Sequence, residues 1–284
     1  MAEFSKAIDM RIIEKLRGEP LFTERLFEDI ITGRVFPSIR DGYVKFHYGG
    51  TFMFRYDGAF ATICQVGFVP QADDEFIDVD ETLLAGMKPQ ARFVDAYEQI
   101  RYRCMWSSGL RGGDVPALYK FSFAAYHCEW YFVLDMGDLL GGHLYYYNSH
   151  DLLLMDAHTG RLLFCRAVSY SDMQLALAEE VKNIADQLEE YRNLIAKHRD
   201  EIISWYGQYT RAMQALTGIG LPAPTGVCGD CGLLIYGFDE DQQNGKLKKI
   251  TDSLTKMGWP VCAVRDISDV TPETLFTRLG GDAA

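Results

Sequence analysis

Between His143 and Tyr191 the spacing of apolar residues changes from a strand pattern to a helical one. Two apolar segments, Leu144–Met155 and Arg161–Val168, flank Asp156-Ala-His-Thr-Gly160, whose closing glycine suits a hairpin turn. A β-hairpin is expected there. From Asp172 onward, Leu177, Val181, Ile184, Leu188, Tyr191 and Ile195 recur every three or four residues, as on one face of a helix. The hairpin therefore feeds a long amphipathic helix.

The flanking pattern extends this arrangement on both sides. Ser5–Leu16 and Thr23–Thr32 read as short helices, with Thr23 placed to cap the second and Gly33 and Pro37 to end it. Tyr43–Tyr48, Thr51–Tyr56 and Phe60–Val66 are β-rich runs separated by Gly49-Gly50 and Asp57-Gly58, which predicts a β-meander. Its many aromatic residues offer either core or a stacking surface for bases, and a meander packed on helices needs them as core. The acidic stretch Pro70–Thr82 reads as a solvated loop. We place the domain boundary there, with a helix and meander module over residues 1–82 and a second domain over 83–284. A helix over Gln90–Met105 and a glycine-containing loop over Ser107–Pro116 precede strands at Leu118–Ala124 and Glu129–Asp135. That loop lacks the Gly-Lys-Ser/Thr ending of a nucleotide-binding P-loop. Beyond the long helix come a helix over Glu201–Leu216, a strand over Leu233–Phe238, a helix over Leu247–Met257 and a strand over Val261–Val264. Strand–helix–strand order implies a parallel pair. The whole reads as α/β.

Composition narrows the classes. At 284 residues and 48% hydrophobic content the chain supports a substantial core. Met1–Lys15 is mixed and charged, and no stretch approaches the length of a membrane span, so a cytoplasmic protein without membrane contact is expected. Its seven cysteines then read as reduced thiols. A net charge of −12 opposes a broad electrostatic grip on nucleic acid, leaving a localised basic surface or a protein partner.

Candidate chemistry gathers on the hairpin and its helix. Asp151 lies on the first strand, Phe164-Cys-Arg-Ala-Val168 ends the second, and Gln187-Leu-Glu-Glu-Tyr191 sets Gln187 and Tyr191 one helical turn apart. This segment resembles the core of the PD-(D/E)XK, or restriction-endonuclease-like, nucleases, especially the RecB-like branch with its Q-x-x-x-Y helix. The resemblance implies a mixed central sheet flanked by helices. In that family an Asp on one strand is followed, after a hairpin, by a Glu-x-Lys triplet on the next. Asp151 takes the place of the Asp, whereas Arg166 and Val168 fall where the Glu and Lys belong. The strand before the hairpin offers Asp135 but has Gly137 where a further carboxylate would be sought.

Phosphodiester hydrolysis requires hard cations held by carboxylate oxygens. An Arg at the bridging position brings a fixed positive charge and no acceptor atom, so metal binding there should be lost. The expectation is a degenerate nuclease core, with Asp135, Asp151, Arg166, Gln187 and Tyr191 as a vestigial or ligand-binding site and no cofactor. By resemblance, such proteins serve bacterial DNA metabolism or antiviral defence as pseudoenzyme subunits bound to nucleic acid or a protein partner. Two alternatives stay open. In one, Glu180 and Lys182 join Asp151 in a relocated, Mg²⁺-dependent catalytic set; in the other, the vacated pocket senses a small molecule. Cys228-Gly-Asp-Cys231 has metal-like spacing, but a structural zinc site needs four ligands, so zinc is not expected. Oligomeric state is not legible.

Overall fold

The structure, a computed structural model, describes residues 7–62, 68–70, 76–78, 93–110, 130–137, 139, 150–170 and 177–280. The strand expected at Leu118–Ala124, the first half of the strand from Leu144, most of the acidic stretch and the glycine loop from Arg111 lie outside them. The chain divides into two compact units, one of residues 5–124 and 208–221, the other chiefly of 125–207 and 222–284.

In the first unit, α1 (Met10–Arg17) is capped by Asp9, whose carboxylate accepts from the Arg11 N–H at 2.9 Å, and it buries Ile13 and Leu16. The next helix starts at Pro20, not after Thr23, and runs through a wide turn (Phe22–Leu26) into α2 (Phe27–Ile31). Thr23 is inside it, donating its hydroxyl to the Glu19 carbonyl at 3.2 Å; proline at the first helical position was the stronger start signal. Gly33, at φ 81, then lets the chain turn into a strand that the sequence reading lacked, β1 (Val35–Arg40). Pro37 is tolerated because β1 is the edge of an antiparallel sheet ordered β1, β2 (Tyr43–Tyr48), β3 (Thr51–Tyr56), β4 (Phe60–Ala61). The expected meander is present. Its aromatics divide by burial: Phe46, Phe54, Tyr56 and Phe60 are buried, while Tyr43, Tyr48 and Phe52 are half-buried.

Two further strands pair next, β5 (Phe68–Pro70) and β6 (Phe76–Asp78), the second inside the stretch expected as a loop. Helix α3 (Tyr97–Leu110) continues through Ser107–Leu110, which the sequence reading gave to the glycine loop; the paired glycines come only at 112 and 113. It packs on β3, with Phe54 meeting Phe93 at 5.3 Å and Tyr97 at 6.4 Å between ring centres. The helix thus groups with the meander, whereas a boundary at 82 separates them. Buried Asp29 accepts the Tyr97 hydroxyl at 2.9 Å and pairs with Arg34 at 3.0 Å, which satisfies its charge away from water.

The second unit holds a mixed six-stranded sheet. Strands β7 (Tyr131–Gly137), β8 (His150–Asp156) and β9 (Arg161–Ser169) form an antiparallel series joined at β8–β9 by the expected hairpin. Helices α4 (Leu177–Lys197) and α5 (Arg199–Thr217) follow, α5 passing into the first unit at residue 208. The chain returns as β10 (Gly226–Val227) and β11 (Gly232–Tyr236), both parallel to β9. After α6 (Lys248–Lys256), β12 (Val261–Ala263) lies parallel to β11, as the strand–helix–strand pattern implied. α7 (Pro272–Leu279) packs against the sheet. Every residue of β11 is buried, as a parallel strand covered on both faces requires. Among the described residues no helix is long and apolar enough to cross a membrane.

Candidate functional site

Strand register brings the candidate residues together. Gly137, Asp151, Arg166, Leu233 and Val261 stand directly opposite one another across β7, β8, β9, β11 and β12, and so share one face of the sheet. One step along that face come Asp135, Leu153 and Phe164. Asp135 reaches it through a register shift between Val133 and Asp135, which leaves Leu134 as an extra residue. Simple alternation from Tyr131 would not have put Asp135 beside Asp151.

Two tyrosines from successive helices close this face. Tyr191 on α4 donates its hydroxyl to Asp151 Oδ2 at 3.0 Å, and Tyr206 on α5 donates to Asp135 Oδ2 at 3.1 Å. Both rings also meet Phe164 edge-on, with centres 5.9 and 6.3 Å away. Asp135 is fully buried and also accepts the Met136 N–H at 2.8 Å. Arg166 is only 5% exposed, facing Asp151 with its charge opposite in sign. Arg166 thus offsets one of the two carboxylate charges on this face.

The other expected residues fall outside this contact set. Gln187 is half-buried and makes no side-chain hydrogen bond among the described residues. Lys182 is exposed and no ion pair joins it to Asp151. Glu180 belongs to α4, but its side chain lies outside the described residues. Cys228 and Cys231 are both buried, and among the described residues no three His, Cys, Asp or Glu side chains converge on a metal position. Sequence reasoning missed Tyr206, which lies within the helix expected over Glu201–Leu216. It also missed Arg192, which pairs with Glu189 and Asp230 and lies over the Trp259 ring at 4.7 Å. The three-residue spacing of Glu189 and Arg192 was the legible signal for that second cluster.

Burial dominates the electrostatics. It raises the Tyr191 hydroxyl well above its usual range, with the Asp151 charge adding to the effect. Burial likewise raises the thiols of Cys165 and Cys231; Asp151 pushes Cys231 further up and Arg166 opposes it. These groups are acids held neutral in the folded state. Their stabilising effect is complete below the unfolded thiol pKa, near about 8.5, and is lost as pH rises beyond it. Each buried thiol should cost about 1.4 kcal/mol of stability per pH unit above that point. Urea unfolding at pH 7, 9 and 10.5 should show a steep alkaline fall, less steep in Cys165→Ala and Cys231→Ala. A flat profile would contradict the buried neutral thiols.

Comparison with known proteins found no matching family model, no matching curated protein and no matching solved structure.

Proposed function

We propose that this chain is a catalytically degenerate protein of the PD-(D/E)XK type, with a restriction-endonuclease-like core, that works by binding nucleic acid or a partner subunit instead of by cleavage. The observation that carries this reading is Arg166 directly opposite Asp151, at the position where a nuclease of this type needs a carboxylate. A guanidinium repels a divalent cation and offers it no ligand atom. The Tyr191 hydroxyl on the same Asp151 carboxylate further reduces what is left for a metal.

The surrounding layout agrees with the resemblance. An acidic residue lies on the strand before the hairpin, the Asp and the degenerate triplet lie on its two arms, and the helix with Gln187 and Tyr191 follows within a mixed sheet. A subunit of this kind in bacterial DNA metabolism or phage defence would leave cutting to its partner.

The test is cleavage of single- and double-stranded DNA and RNA with Mg²⁺ or Mn²⁺, by the native chain beside Asp151→Ala, with binding followed in parallel. The expected result is no cutting by either protein. Cutting that disappears in Asp151→Ala would overturn the degenerate reading and direct attention to Glu180 and Lys182.

A further inference from the structure

Against a net charge of −12, one described helix carries a face of opposite sign. Helix α6 packs against α4 and β12 with Ile250 and Leu254 fully buried. At 100° per residue, Lys248, Asp252, Lys256 and Lys249 fall within an arc of about 100° on the opposite side. All four are exposed. Three ammonium groups thus face outward around one carboxylate. None of the three lysines forms an ion pair with a described residue.

Asp252 stands three or four residues from each lysine but can offset only one of the three charges, so this face keeps a net positive charge. At physiological salt, charges more than about 8 Å away are largely screened, so the acidic remainder of the chain does not cancel this patch for a ligand in contact with it. From Lys248 to Lys256 the helix advances about 12 Å at 1.5 Å per residue. Along a duplex axis each strand carries one phosphate per about 3.4 Å, so a helix lying parallel to that axis spans three or four of them.

We infer that the exposed lysine face of α6, formed by Lys248, Lys249 and Lys256, is a contact surface for the sugar–phosphate backbone of nucleic acid. Lysine serves there as a point charge without base selection, so the contact positions a strand and does not read its sequence. The inference rests on the binding reading above, but not on a nuclease ancestry. The cleavage assay with Asp151→Ala tests the core; a lysine series tests this face.

Fluorescence anisotropy of the full chain with 20-nucleotide single-stranded and duplex DNA and RNA, at a series of salt concentrations, provides that test. Lys248→Glu, Lys249→Glu and Lys256→Glu combined should weaken binding at least tenfold and reduce the slope of log affinity against log salt by about 3, one per lost phosphate contact. A control with the same charge change at exposed Arg17, Arg25 and Lys197, each changed to Glu, should keep most of the affinity. Thermal unfolding should show both variants fully folded at the assay temperature, since all six residues are exposed and like charges one helical turn apart cost only about 0.2–0.5 kcal/mol per pair. Equal losses in the two variants, an unchanged slope, or no binding by the native chain at about 50 mM salt would each overturn the inference.

Discussion

Arg166→Glu should destabilise the sheet-bearing unit by about 3–5 kcal/mol in metal-free buffer at pH 7, and millimolar Mn²⁺ should restore much of that loss. Residues directly opposite on neighbouring strands hold their Cβ atoms about 5 Å apart. The substitution therefore sets a second carboxylate beside Asp151 in a site where residue 166 is 5% exposed. Two negative charges at that separation repel by about 3 kcal/mol at an effective dielectric constant of about 20. A hard cation reverses the sign of the problem, because two carboxylates on adjacent strands are then ligands. Saturation at about 100 times the dissociation constant would return about 2.7 kcal/mol. Thermal unfolding in EDTA and in Mn²⁺ measures both effects, and Arg166→Met separates the missing cation from the added anion. A variant that unfolds like the native chain in EDTA, or ignores Mn²⁺, would contradict the assignment of Arg166 to the position of a lost metal ligand.

A second large effect is expected at the hairpin turn. Gly160 has φ 69, a left-handed conformation, and a Cβ built there would lie 2.9 Å from the Ala223 carbonyl oxygen and 2.9 Å from Thr225 Cγ2. The backbone cost for an L-residue is about 1–2 kcal/mol. The overlap adds to it, since a main-chain oxygen cannot rotate aside. The turn is also tied to the segment that leads into β10: Thr225 N–H donates to the Gly160 carbonyl at 2.8 Å, and the Thr225 hydroxyl donates to the Thr159 carbonyl. Gly160→Ala should therefore cost about 3 kcal/mol in urea unfolding, a large share of ordinary domain stability. Gly258→Ala is the control, with φ 89 and no atom within 4 Å of its Cβ, and should show the backbone cost alone. Equal losses in the two variants would mean that the contact with Ala223 and Thr225 carries no weight.

The parts of the fold that were legible in the sequence are those encoded by neighbours along the chain. Two apolar runs and a closing glycine marked β8 and β9, the 3.6-residue period marked α4, and buried apolar runs around a helix marked the parallel pair β11 and β12. Where two local signals competed, the reading slipped. Pro37 was read only as part of a helix end, yet it lies in an edge strand, which tolerates it; Thr23 looked like a cap, but Pro20 had already started the helix.

The candidate site shows the same division more sharply. Residue spacing by itself determined that Asp151 and Arg166 lie on the two arms of one hairpin and that Tyr191 projects from the helix that follows. Only tertiary structure decided that Arg166 stands opposite Asp151, that the register shift at Leu134 turns Asp135 onto the same face, and that Tyr191 and Tyr206 close over the two carboxylates. Those two hydrogen bonds join residues 40 and 71 positions apart. Periodicity reports only which way a residue faces within its own element, whereas a polar contact across such separations depends on how strands register and helices cross the sheet.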